Sequence, residues 1–168
     1  MNTPMYDASI PVMLHMLANL KKILAKAERH AARNKIDPGV FMNARLAPDM
    51  YPLTRQIQIA SDTAKGCAGR LADKKIPVYK DNEKSFKDLY KRIDKTVAFL
   101  KTCKPHAING SEDRTIVMQF PSMTLKFSGM DYLHRFALPN FYFHVTTAYA
   151  ILRHNGVNIG KRDFIGRV

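Results

Sequence analysis

Cysteine is scarce in this chain: Cys67 and Cys103 are the only two, far apart and without C-x-x-C spacing. That excludes a disulfide framework and a zinc ribbon, and it leaves two reduced, buried thiols as the expectation. Long apolar runs are also missing. None approaches the roughly 20 residues that span a bilayer, and the opening Met1-Asn2-Thr3-Pro4-Met5 has no basic segment leading into an apolar stretch. A cytoplasmic protein with no membrane association is therefore expected. No G-x-x-x-x-G-K, G-x-G-x-x-G or G-x-S-x-G pattern occurs, which removes the commonest nucleotide-binding and hydrolase chemistries.

Acidic residues are few as well. Against 14 Asp and Glu stand 27 Lys and Arg, a net charge of +13. Such an excess favours solubility and attraction to polyanions, but it does not bear on fold. What is present in quantity is hydrophobic sequence, 46% of 168 residues. A chain of that length forms one domain that buries roughly 70% of its unfolded surface. The absence of repeats, linkers and low-complexity tracts makes 1–168 a single unit.

Helical periodicity dominates. After Ser9, a good N-cap, with Pro11 in the first turn, Met13, Leu17, Leu20, Leu24, Ala27 and Ala31 fall on one stripe that ends at Asp37-Pro38-Gly39. A short segment, Val40 to Leu46, leads to an entry turn framed by Pro48 and Pro52. A second long helix carries Leu53, Ile57, Ala60, Ala64, Cys67 and Leu71, and its alanines imply close approach of a neighbour. A third, capped by Asp81 or Asn82, carries Phe86, Leu89, Tyr90, Ile93, Val97 and Leu100 and stops at Lys104-Pro105. The last helical region opens at Ser128 or Asp131, is divided by Pro139, runs from Asn140 to about His154, and ends at Gly156 as C′ residue, with a short mixed tail beyond.

Between the third and last helices the period changes from 3.6 to two. Ile116, Met118 and Phe120 alternate with Thr115, Val117 and Gln119; Pro121-Ser122 follow; then Met123, Leu125 and Phe127 alternate with Thr124 and Lys126. This predicts a small β-hairpin in a crossover too long for a simple turn. The expected fold is all-α, an antiparallel four-helix bundle with that hairpin between its third and fourth helices.

Six histidines invite a search for a metal site, for which i,i+4 pairs on a helix are the useful spacing. No His-x-x-x-His occurs; the nearest equivalent is Asn140-x-x-x-His144, on a face shared with Ala148 and Ile151. At about 100° per residue that face points inward or along a cleft, where a polar pair needs partners. Gln56 flanks the apolar stripe of the second helix, while Gln58 and Asp62 lie nearly opposite it. Asp62 could neutralise a cation or orient His144. A plain buried histidine, hydrogen-bonded to the second helix, fits the same residues. His15, His30, His106, His134 and His154 read as surface or capping residues. Lys22, Lys26, Arg29 and Arg33 form a basic stripe without interleaved aromatics or a nucleic-acid motif, so a solvated helix face is expected and a nucleic-acid partner is not.

Ala44-Arg45-Leu46-Ala47-Pro48-Asp49-Met50-Tyr51-Pro52-Leu53, the run from Gln56 to Gly66, the run from Leu138 to Arg153, and the closing Gly160-Lys161-Arg162-Asp163-Phe164-Ile165-Gly166 resemble a bacterial family of unknown function. That family is placed in the DinB/YfiT-like superfamily of four-helix bundles. The resemblance covers essentially the whole chain. It implies a homodimer and a metal-dependent enzyme or transferase, because better-studied relatives are thiol transferases and isomerases. These hold a divalent cation through one histidine on the second helix and a His-x-x-x-His on the last. By position, His144 matches the final histidine as the one metal ligand, Asn140 stands where its partner would be, and Gln56 or Asp62 is nearest to the helix-two ligand. A zinc or nickel site that is weak or empty follows. The leading expectation is a polar small-molecule cleft at His144, Asn140, Gln56 and Asp62. A non-catalytic dimeric interaction module is the alternative, and nucleic-acid binding a third.

Overall fold

A computed structural model describes residues 3–167; Met1, Asn2 and Val168, the ends of the expected 1–168 unit, lie outside them. Four long helices carry the core: α1 (Ile10–Arg33), α3 (Leu53–Leu71), α4 (Phe86–Thr102) and α7 (Leu138–His154). Between and after them lie α2 (Pro38–Asn43), α5 (Pro105–Ile108), the strands β1 (Ile116–Phe120) and β2 (Met123–Phe127), the single turn α6 (Gly129–Asp131), and α8 (Lys161–Ile165). The molecule is therefore mainly helical with one two-stranded antiparallel hairpin, as expected.

Packing follows the apolar stripes. α1 lies against α4 and α7, and α3 lies against the same two, so contacts close a ring α1–α4–α3–α7. The helix α3 is the most enclosed: Ala60, Ala64, Cys67 and Ala68 are fully buried, and their small side chains let neighbouring backbones come close. One continuous hydrophobic cluster joins all four helices with Phe41, Ile108, Ile116 and Val157. Both cysteines are free and buried, and burial pushes the Cys67 thiol up to about 12. Among the described residues no helix is long and apolar enough to cross a membrane.

Helix ends show where local reading meets tertiary demand. Ser9 precedes α1 but does not cap it by side chain; its hydroxyl donates to the Met5 carbonyl at 2.6 Å. Asp37 accepts from the Gly39 amide at 2.6 Å and starts α2. The entry turn before α3 is closed by an amide bond from Leu53 to the Ala44 carbonyl at 2.9 Å. Ser85, rather than Asp81 or Asn82, caps α4: its hydroxyl accepts from the Asp88 amide while Asp88 accepts from that hydroxyl. Asp81 and Asn82 lie upstream of the position just before Phe86 that a cap must occupy, and the Asp81 carboxylate is held by Arg55 and Arg92. Gly156 terminates α7 at φ +84°, the left-handed value expected of a C′ glycine.

The hairpin forms with Ile116 opposite Phe127 and Phe120 opposite Met123, the register that the alternation predicts. Pro139 does not divide the last helical region. A π-helical stretch, Tyr132–Ala137, runs straight into α7, and this wider winding immediately before the proline absorbs a ring that would crowd an ordinary α-turn. The tail is more ordered than its composition suggests: α8 packs on α1, and the Asp163 carboxylate accepts from the Gly160 amide at 3.0 Å.

Candidate functional site

Two polar bonds cross the seam between α3 and α7. The His144 ring Nδ1 lies 2.6 Å from Gln56 Oε1, and Asn140 Nδ2 donates to Thr63 Oγ1 at 2.8 Å. Going up α3 from residue 56 to 63 means going down α7 from 144 to 140, so the two helices run antiparallel there. His144 and Gln56 are 7% and 1% exposed, low enough that each polar atom needs a partner. Gln56 finds its second one in the entry turn, where its Nε2 donates to the Tyr51 carbonyl at 2.9 Å.

That last bond decides the state of the histidine. A backbone carbonyl only accepts, so the amide nitrogen of Gln56 faces Tyr51 and its oxygen faces the ring. The oxygen only accepts in turn, so Nδ1 carries the proton and Nε2 keeps its lone pair. Burial, and then the positive charge of Arg55, hold the imidazole well below its ordinary 6.5, at about 4. At neutral pH His144 is an uncharged acceptor. Its Nε2 has no hydrogen-bond partner among the described residues and is not one of the sealed, unpartnered atoms. The Phe143 ring meets the imidazole edge-on, with centroids 5.2 Å apart, and Arg55, near enough to act on the imidazole by its charge, is held by Gln58 and Asp81 and sits 5.9 Å over the Tyr51 ring. Arg55 also lines a cleft of about 360 Å³ that His144 does not reach, together with Thr54, Gln58, Asp81, Glu83 and Lys84.

A transition metal fits these residues poorly. Zinc or nickel requires three or four converging imidazoles, thiolates or carboxylates. The seam offers one imidazole nitrogen, two carboxamides that are already engaged, and a hydroxyl. No group of three His, Cys, Asp or Glu able to hold an ion occurs among the described residues, and the nearby Arg55 would repel a dication.

Asp62 does not join His144. It faces the other flank of α3, where Arg92 Nη2 lies 2.9 Å away and Lys65 Nζ 3.0 Å away. The four residues expected to share one cleft therefore separate into a His144, Asn140 and Gln56 group on the α7 side and Asp62 on the α4 side. On that second side the sequence reading missed an ionic network. Arg92, its side chain 1% exposed, also reaches Asp81 and Glu83 at 2.9 Å each. Gln58 donates to Glu83 at 2.8 Å, and Lys65 donates to the Pro77 carbonyl at 2.8 Å. The Tyr79 ring lies 4.6 Å from the Lys65 ammonium and 5.6 Å from the Arg92 guanidinium. One signal was available: counting three residues on from Leu89 puts Arg92 on the core face of α4, where a lone cation demands carboxylates.

Of the other histidines, His30 is half-buried and meets the Phe41 ring edge-on, with centroids 6.0 Å apart. His106, His134 and His154 are exposed, and His15 bonds the Ile165 carbonyl at 2.6 Å, helping to dock α8. Of the basic stripe, Lys26 is paired with Asp163 at 2.6 Å, while Lys22, Arg29 and Arg33 make no ion pair among the described residues.

Comparison with known proteins places this architecture. A crystal structure of a DinB family member protein from Shewanella denitrificans is similar to it at 38% identity, with a TM-score of 0.88, over 97% of this chain and 92% of that one. Mainly helical, with a single hairpin, the molecule is a DinB-like protein, as the sequence motifs implied. The profile of a domain of unknown function, DUF1993, matches residues 5–165, and the chain belongs to that family. No curated protein matches it.

Proposed function

We propose that this DinB-like protein is a single-domain, antiparallel four-helix bundle that binds a small molecule at the α3–α7 seam without a transition metal. In this reading His144 Nε2 accepts a hydrogen bond from the ligand and Arg55 exchanges its part-exposed ion pair with Asp81 for an anionic group of the ligand, so the ligand carries a hydroxyl or amine next to that group. Gln56 and Asn140 hold the seam, and Asp62 plays no part in it. The observation that carries the reading is a neutral imidazole whose Nδ1 is fixed by Gln56 and whose Nε2 is left unpartnered beside a cation. The ring of contacts α1–α4–α3–α7 supports the bundle, and free, buried cysteines suit a reducing cytoplasm.

Two experiments test this reading. Calorimetric titration with zinc, nickel and manganese should give no saturable heat, or heat that His144→Ala leaves unchanged; stoichiometric binding abolished by His144→Ala would restore a metal site. A thermal-shift screen of small hydroxy and amino carboxylates should give compounds that raise Tm in the wild type but not in His144→Leu or Arg55→Gln. Equal shifts in all three proteins would remove the seam as the site.

A second reading, a homodimeric interaction module, draws on the exposure of Tyr51 and Phe143, 57% and 55%, the first in the turn that holds Gln56 and the second next to His144 in the chain. Apolar rings left in water beside a polar pair are what a self-association surface presents. Light scattering after size exclusion should then return twice the monomer mass, falling to the monomer in Tyr51→Ser/Phe143→Ser; a wild-type monomer at micromolar concentration would dismiss it.

A further inference from the structure

The connection from α3 to α4, residues 72–85, has no regular secondary structure, yet it is pinned along its length. Beneath it, three cations (Arg55, Lys65 and Arg92) meet three carboxylates (Asp62, Asp81 and Glu83). That inner cluster is self-neutralising. Between the same connection and α4 lies a cleft of about 490 Å³, within the roughly 300–1,000 Å³ of small-molecule sites. Its rim carries Lys80, Lys84, Lys91 and Lys95.

Those lysines have almost nothing to neutralise them. Lys80, Lys84 and Lys95 make no ion pair among the described residues, and Lys91 has only a loose contact with Asp88 at 3.5 Å. Asp88 is itself occupied in capping α4, and Glu83 is spent on Arg92 and Gln58. The floor includes Arg92, whose Nε is buried without a partner. A concave hollow is thus ringed by four ammonium groups, with Glu83 and Arg92 paired to each other and Asp88 as one weakly competing carboxylate.

We propose that this cleft binds a small ligand bearing two or more phosphate groups. A single phosphate of charge near −2 leaves the rim's excess of about three positive charges unmatched, whereas a pyrophosphate unit matches it. Four separate ammonium donors around one hollow suit several phosphoryl oxygens at once. The lysines surround a cavity rather than track along a line, which favours a compact polyphosphate over a nucleic-acid strand.

The test is calorimetry on the full chain with pyrophosphate, inorganic phosphate and a short single-stranded oligonucleotide, at low and high salt. Pyrophosphate should bind saturably at one site, more tightly than phosphate, and weaken as salt rises. The Lys80→Ala/Lys95→Ala variant should bind it roughly tenfold or more weakly, the scale of losing two charge-assisted contacts. The Lys22→Ala/Arg29→Ala variant, altered on the distant α1 stripe, should bind it as the wild type does. Circular dichroism should show both variants folded, since all four positions are exposed. Absence of saturable pyrophosphate binding up to about 1 mM, equal weakening in both variants, or binding of the oligonucleotide alone would overturn the proposal.

Discussion

His144 Nδ1 lies 2.6 Å from Gln56 Oε1, and the Gln56 amide is turned by its bond to the Tyr51 carbonyl so that the imidazole proton sits on Nδ1. This pair joins the entry turn, α3 and α7 in one chain of bonds. It also leaves the last-helix histidine neutral, with its outer nitrogen unpartnered.

Gln56→Leu should therefore do more harm than its exposure suggests. It strands the Nδ1 proton of His144 and the Tyr51 carbonyl together, at a cost of about 1–3 kcal/mol. Urea denaturation measures this; a loss below about 0.5 kcal/mol would mean that water or another group satisfies the ring.

Acid should weaken the fold through His144. The imidazole titrates near 6.5 when unfolded and at about 4 when folded, so between those values the unfolded chain binds more protons and stability rises with pH. The contribution of His144 should be constant above pH 6.5 and decline by of order 3 kcal/mol toward pH 4. Asp88 and Asp163, whose carboxyls are held below the usual range by hydrogen bonds from Ser85 and Lys26, add their losses only in more acidic solution. In His144→Gln the slope between pH 4 and 6.5 should flatten; an unchanged slope would assign it to other groups.

Arg92→Met should release the connection between α3 and α4. Glu83, 8% exposed at its side chain, loses its cation, while Asp62 and Asp81 keep partial access to water. The loss is about 3 kcal/mol, the lower end for breaking a buried pair. Hydrogen exchange should quicken across residues 73–84 and stay slow in α1 and α7. Uniform acceleration would show that Arg92 supports the whole core instead.

Gly129→Ala should test how tightly the crossover is docked. A Cβ at Gly129 would fall 1.9 Å from the Ser111 carbonyl oxygen, a backbone atom that cannot swing aside. Destabilisation of about 1–3 kcal/mol follows from such overpacking, whereas Gly160→Ala, with open space around its Cβ, should be tolerated. Equal melting temperatures for the two variants would contradict this packing.

The parts of the fold legible in the sequence are those written in periodicity. The stripes of α1, α3 and α4 translate into burial and the two-residue alternation of the hairpin into its register, although Phe120 and Met123 at the hairpin's tip are exposed. Half of the site was legible for the same reason: the spacing of Asn140 and His144 put both on the face that meets α3, and Gln56 flanked the stripe that meets α7. Asp62 was assigned to that seam by its chemistry, yet its angular position opposite the stripe points it at Arg92. Ser85 rather than Asp81 is the cap because α4 begins at Phe86, and Asp81 pairs instead with Arg92, 11 residues on. Pairings of that kind depend on how helices meet and leave no local trace. The π-helical stretch before Pro139 was hidden in the same way, since winding around a proline is settled by the packing of both flanks.

The most direct measurement is a pH series of long-range proton–nitrogen NMR spectra of the imidazole groups, with His144 assigned through His144→Gln. His144 should appear as the neutral Nδ1–H tautomer at pH 7 and stay so until the pH nears 4. An Nε2–H tautomer, or protonation near the 6.5 of a free histidine, would contradict the bond to Gln56 and the uncharged acceptor built on it.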